Sequence, residues 1–283
     1  MISLWFGLQV LNIKNLKSFY LNKLKYIKDK ISFMFKHLSK YGFLYPLTLS
    51  KHLIFTEIIF SKSKKLSAEY QNFNFSKNMI IDTKIPDYYK NTYQFKFMDS
   101  FSLNVFTWDS LFTKYKLKNK EAVYLEIGCF EGRSSVFILE QLNNTFCFFV
   151  DPFEEYDEMT HSTEQKDFKS TFENFSNNIK RFDGRYEIHK STSDIFFKKL
   201  NPSQQFDLVY VDGSHLSEDV YRDATNVSKH LKSDGFVIFD DFFWFWYEDL
   251  KDNPFFGITK FLYENKEKYK IIYIGDQLIL RKK

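Results

Sequence analysis

The sequence predicts an α/β chain: a doubly wound, mostly parallel sheet that ends in an antiparallel hairpin, with a helical extension before it. Three observations lead there. Short apolar runs alternate with helical stretches from about residue 100 onward, the pattern of a parallel sheet wound with helices on both faces. Two closing runs, YKIIYI and QLILR, are separated by Gly275 and Asp276, a hairpin signal. Near the start, apolar residues recur at steps of three and four, the mark of one helical face.

Taken in order, that first stripe comprises Ile13, Leu16, Tyr20, Leu24, Ile27, Ile31, Met34 and Leu38, and it predicts a long amphipathic helix over about residues 11–40. Lys14, Lys17, Lys23, Lys25, Lys28, Lys30, Lys36 and Lys40 share the stretch with one acid, Asp29, so its outer face is basic. Three uses stay open. The stripe packs on the rest of the chain or on a second copy, which would make a homo-oligomer; or, with Trp5 and Phe6, it lies on an anionic membrane surface; or it contacts nucleic acid. Residues 41–100 carry Pro46, Pro86 and no sustained period. The expected division is therefore an N-terminal extension over 1–100 and an α/β domain over 101–283.

Within that domain VYLEIG (123–128) is a buried strand ending at glycine, EGRSSVFILEQL (131–142) is helical and TFCFFVD (145–151) is a second buried strand. The series continues with a helix at 164–180, a strand at 185–189, a helix at 192–200, a strand at 206–212, a helix at 216–231 and a strand at 235–240. A helix at about 256–266 leads into the hairpin.

Composition sets the outer limits. Of 283 residues 44% are hydrophobic and 27% charged, which suits a packed core and argues against wholesale disorder. The net charge of +4 is small, so nucleic acid is not expected as a partner. Cys129 and Cys147 have no CxxC or Cys/His metal spacing. The opening ISLWFGLQVLNI lacks a preceding basic segment and a small-residue cleavage site, and is shorter than the roughly 20 apolar residues of a spanning helix. A cytoplasmic protein, in peripheral membrane contact if the basic helix serves that purpose, is expected.

In open parallel sheets the turn after the first strand is the prime ligand position. Here it reads Glu126-Ile127-Gly128-Cys129-Phe130-Glu131-Gly132, with glycines that let backbone approach a ligand and a following helix whose first N–H groups can receive a carboxylate or phosphate. Asp151 ends the second strand, where a carboxylate can accept both hydroxyls of a ribose. Either an adenosyl or a dinucleotide cofactor could use this frame, and the turn alone also suits a plain strand-to-helix connection. EIGCFEG, VDPF, FDLVYVDGSH and FVIFDD, in that order and spacing, resemble class I S-adenosylmethionine (SAM) dependent methyltransferases over about 180 residues. The resemblance implies a Rossmann-like seven-stranded sheet whose last strand is antiparallel. It places Glu126 and Gly128 beside the amino-acid part of SAM and Asp151 on the ribose. Phe130 stands where the family's loop most often has a third glycine, and Ser193 or Asp194 falls where the adenine is lined. Cofactor-binding candidates are Glu126, Gly128, Phe130, Gly132, Asp151 and Asp212.

Methyl transfer is an in-line displacement, so a methyltransferase aligns nucleophile and methyl, excludes water and removes a proton from the acceptor. A sugar hydroxyl is weakly acidic, and a divalent cation lowers the pKa of an oxygen that it holds. Asp212, Asp240 and Asp241 offer oxygen ligands of the type Mg²⁺ prefers. The spacing of Asp212, His215 and the Asp240–Asp241 pair resembles the Mg²⁺-dependent macrocin-type sugar O-methyltransferases. That resemblance implies Asp212, Asp240 and Asp241 as metal ligands and His215 as catalytic base. Strand-end aspartates also cap helices, His215 also suits a helix start, and neighbours in a strand point to opposite faces, so one ion can take both Asp240 and Asp241 only if the strand has ended. The aromatic run FFWFWYEDL (242–250) suits a glycan or other small hydroxylated acceptor, or core packing. The polar insertion PFEEYDEMTHSTEQ (152–165), with His161, suits a lid. Two rivals are a nucleotide-dependent oxidoreductase, which leaves the acid pair and hairpin unexplained, and a non-catalytic scaffold that works through its basic helix.

Overall fold

The computed structural model describes residues 92–97, 99–154, 168–244, 247 and 249–283. The expected helix at 11–40, nearly all of the extension, His161 with most of its insertion, and Phe245, Trp246 and Glu248 of the aromatic run lie outside the described residues.

Helix α1 (Val105–Lys114) leads into β1 (Ala122–Ile127), α2 (Arg133–Gln141), β2 (Thr145–Val150), α3 (Phe168–Ile179), β3 (Tyr186–His189), α4 (Ser193–Lys199) and β4 (Phe206–Val211). Then follow α5 (Ser217–His230), β5 (Leu231–Phe239), α6 (Pro254–Glu264), β6 (Tyr269–Ile274) and β7 (Leu278–Lys282). The seven strands form one sheet in the order β3-β2-β1-β4-β5-β7-β6. Strands β1 to β5 pair in parallel, while β7 runs antiparallel to both β5 and β6. Ile274 pairs with Leu278 across the turn that Gly275 and Asp276 begin, as the hairpin signal predicts.

Period-two alternation divides the core between two faces. On one face Tyr124, Phe149, Leu208, Tyr210, Phe236 and Ile238 pack under α1, α2 and α3, around a fully buried Trp108. The Trp108 ring meets Tyr210 edge-on at 4.8 Å, and its indole N–H donates to Gln277 Oε1 at 2.8 Å. The other face holds Val209, Val211, Val237 and Phe239, with Val220, Ala224, Val227, Ile258 and Phe261 buried on α5 and α6.

Element limits depart from expectation where backbone chemistry intervenes. Helix α2 begins at Arg133 because Gly132 is left-handed at φ +85° and cannot be helical. Strand β5 starts earlier, at Leu231, through a register shift against β4 and a left-handed Asp234. Helix α6 starts at Pro254, a residue that suits a first helical position because no N–H is needed there.

Strand order reverses between β1 and β4, which lie side by side with Glu126 opposite Tyr210 and Ile127 opposite Val211. A crevice at such a switch point, outside the carboxyl ends of the strands, is where this architecture binds ligands. No described helix is long and apolar enough to cross a membrane.

Candidate active site

The turn after β1 is shaped by close backbone approach. Gly128 has φ +86°, and a Cβ there would stand 1.9 Å from the Asp212 carbonyl oxygen. No side chain fits, because the obstacle is backbone of the adjoining strand end. At Gly132 a Cβ would meet the Phe175 ring at 2.9 Å. Phe130 occupies the left-handed region at φ +48°, so the chain keeps a glycine-like path at the position where the related loops most often carry glycine. Holding a non-glycine residue there costs on the order of 1–3 kcal/mol. Its ring rests against Phe97, with centroids 5.1 Å apart.

Asp151 fastens this turn from beneath. Its Oδ2 accepts from the N–H groups of Cys129 (2.8 Å) and Phe130 (3.0 Å), and its Oδ1 accepts from Phe153 N–H (2.6 Å). Burial raises its pKa against the lowering effect of those three bonds. Glu126 has no exposed surface. Its carboxyl bonds the Ser134 hydroxyl and accepts from Tyr124 OH at 3.1 Å, and burial pushes its pKa up to about 8. Glu126 therefore supports the turn and the first turn of α2, with Ser134 between it and the helix N-terminus. Ser193 and Asp194 face α5 instead: Ser193 Oγ donates to Asp223 at 2.6 Å and Asp194 pairs with Arg222 at 2.8 Å.

The second half of the site stands at the ends of β4 and β5. Asp212 follows β4 and Asp240 follows β5. Both continue the register of Tyr210 and Ile238, and the buried Tyr210 hydroxyl bonds both carboxylates, at 2.9 Å for Asp212. Asp241 then takes φ +52°, so the strand has ended and the two neighbouring acids are freed from pointing to opposite faces. The Asp241 Oδ2 lies 2.6 Å from His215 Nε2. Asp212, His215 and Asp241 each present a ligand atom within 4.8 Å of the others. Asp240 stands apart from that trio, with Oδ2 on Tyr210 and Oδ1 accepting the Asp241 N–H at 2.9 Å. Burial, then the like charges of Asp240 and Asp241, hold Asp212 well above the usual carboxylate range, with His215 opposing. Burial and Asp241 raise Asp240 to about 6. Trp244, from the aromatic run, lies over His215 with ring centroids 4.8 Å apart, while Phe242 is fully buried.

Sequence reasoning passed over Tyr210, Ser134 and Glu131. Tyr210 sits in an apolar run and reads as core; only its place two residues before Asp212, on the same strand face, signals that its hydroxyl reaches the acids.

A reversed C-terminal hairpin and a glycine-bounded first turn at the switch point give the chain the Rossmann-like methyltransferase fold. Residues 125–242 match the family described as a methyltransferase domain. Among solved structures, a Klebsiella pneumoniae protein provisionally named an O-methyltransferase shares the fold at 12% identity and a TM-score of 0.50, over 78% of this chain and 99% of that one. The SAH-bound methyltransferase PaMTH1 of Podospora anserina aligns at 18% identity and a TM-score of 0.49, over 79% and 96%. MycE, of the mycinamycin biosynthetic pathway and in complex with Mg and SAH, aligns at 15% and 0.45, over 66% and 50%. No curated protein matches the sequence.

Proposed function

We propose that the protein is a cation-assisted O-methyltransferase that uses SAM to methylate a sugar or another small hydroxylated acceptor. The observation that carries this reading is the Asp212–His215–Asp241 trio, placed at the ends of β4 and β5 and joined through Gly128 to the cofactor turn. Two carboxylates and an imidazole in reach of one point suit a divalent cation, and they equally suit an acid–base pair beside an acceptor hydroxyl.

In this reading the turn from Gly128 to Gly132 and the N-terminus of α2 receive the amino-acid end of SAM. Glu126 acts through Ser134, and Asp151 has one lone-pair direction left for a ribose hydroxyl after holding three N–H groups. A cation held by Asp212 and Asp241 would make an acceptor hydroxyl more acidic and orient it. Asp240, tied to Tyr210, would add negative charge beside a cation held there and is the third candidate ligand. His215, oriented through its Nε2 by Asp241 and covered by Trp244, takes the acceptor proton at its other ring nitrogen, Nδ1; an imidazole suits that role near neutral pH. The aromatic surface of Trp244 suits a sugar face. The domain organisation goes with this reading: a catalytic domain from about residue 101, with the first hundred residues as an extension.

The reversed hairpin, which an oxidoreductase leaves unexplained, favours the methyltransferase reading over its nucleotide-dependent rival. Chelation tests the cation directly: EDTA abolishes methylation of an accepted sugar and added Mg²⁺ restores it, whereas full activity in EDTA would leave His215 and Asp241 as a metal-free base.

A further inference from the structure

The residues just before the domain are built into the cofactor turn. Glu131, inside that turn, is 1% exposed, and amide groups hold its carboxylate. Its carboxylate accepts from the backbone N–H of Lys96 (2.9 Å to Oε1, 3.1 Å to Oε2) and of Phe97 (3.0 Å), and from Asn174 Nδ2 (2.9 Å) on α3. Asn178, one turn further along α3, bonds both Gln94 O (2.9 Å) and Glu131 O (3.0 Å). Arg133 closes the other side, donating to Phe97 O at 2.9 Å and lying 4.1 Å over the Phe95 ring. Glu131 thereby holds Phe97 in place, and Phe97 in turn covers the ring of Phe130, the left-handed residue on which the path of the turn depends.

We propose that Glu131 is a positioning residue for cofactor binding: it clasps the strap 93–97 so that Phe97 holds Phe130, and with it the turn, in the shape that receives SAM. The proposal rests on the SAM reading of the turn. A buried carboxylate satisfied by three amide donors fits this role, since removing it leaves those donors unpaired and frees the strap.

The test uses the full chain and two readouts, amide exchange at Lys96 and Phe97 and calorimetric titration with SAM. Glu131→Ala speeds exchange at both amides and weakens SAM binding about tenfold, while Glu131→Gln, which keeps an acceptor oxygen, recovers most of both. Phe97→Ala weakens SAM binding with the Lys96 amide still protected, and remains informative if Glu131→Ala does not fold. Unchanged SAM affinity in Phe97→Ala, or in Glu131→Ala with its amides released, overturns the proposal alone. Failure of the unaltered chain to bind SAM removes the cofactor reading and the proposal together.

Discussion

The two strand ends that meet at the switch point are built by opposite means. After β1 the site is backbone: two glycines and a phenylalanine with positive φ, fastened by Asp151 to N–H groups. After β4 and β5 it is side chain: three carboxylates, a phenol and an imidazole, close enough that the charges of Asp240 and Asp241 raise the pKa of the buried Asp212. The first half tolerates no added atom, and the second tolerates no lost charge. A cofactor common to many enzymes needs a fixed cradle, whereas proton removal from an acceptor needs groups whose charge can change.

The sharpest break of this contrast is Gly128→Ala. With its Cβ 1.9 Å from a carbonyl oxygen and φ at +86°, the variant loses about 3 kcal/mol of stability and its SAM binding. Thermal unfolding and calorimetry measure both; a stable variant that binds SAM would contradict the cradle. In the other half His215→Ala removes no packing of comparable strictness. It lowers turnover by about 10² or more while SAM affinity stays within a few-fold. Loss of SAM binding there would mean that the two halves are not separable.

The strands and the hairpin were legible because buried runs and a Gly-Asp break are properties of consecutive residues. Asp212, His215 and Asp241 were legible as chemistry, through their types and spacing. Their grouping was not, since the diversion of Asp240 depends on Tyr210 of a neighbouring strand and on the left-handed turn at Asp241. The clasp at Glu131 was hidden for a similar reason: its partners are backbone N–H groups some 35 residues earlier, which every residue type carries alike. Ser193 and Asp194 have the right residue types for a ligand, but their bonds run to α5.

A smaller effect sharpens the comparison from beneath the cradle. Glu126 has its pKa raised to about 8 in the folded chain against 4.5 ordinarily, so the folded state binds the extra proton and stability falls as pH rises across that interval. Asp223, raised to about 7 by burial, contributes with the same sign. Glu126→Gln mimics the protonated form and flattens part of the fall in unfolding temperature between pH 5 and pH 8, leaving the parts of Asp223, Asp240, Asp212 and Asp151, which burial also raises; an unchanged slope would mean that Glu126 is not among the groups that titrate.

The central claim is that the cradle after β1 takes SAM. Calorimetric titration of the full chain with SAM, with NAD⁺ as control, tests it most directly. The account predicts saturable SAM binding and silence with NAD⁺; NAD⁺ binding, or no heat from SAM with the chain folded, would contradict it.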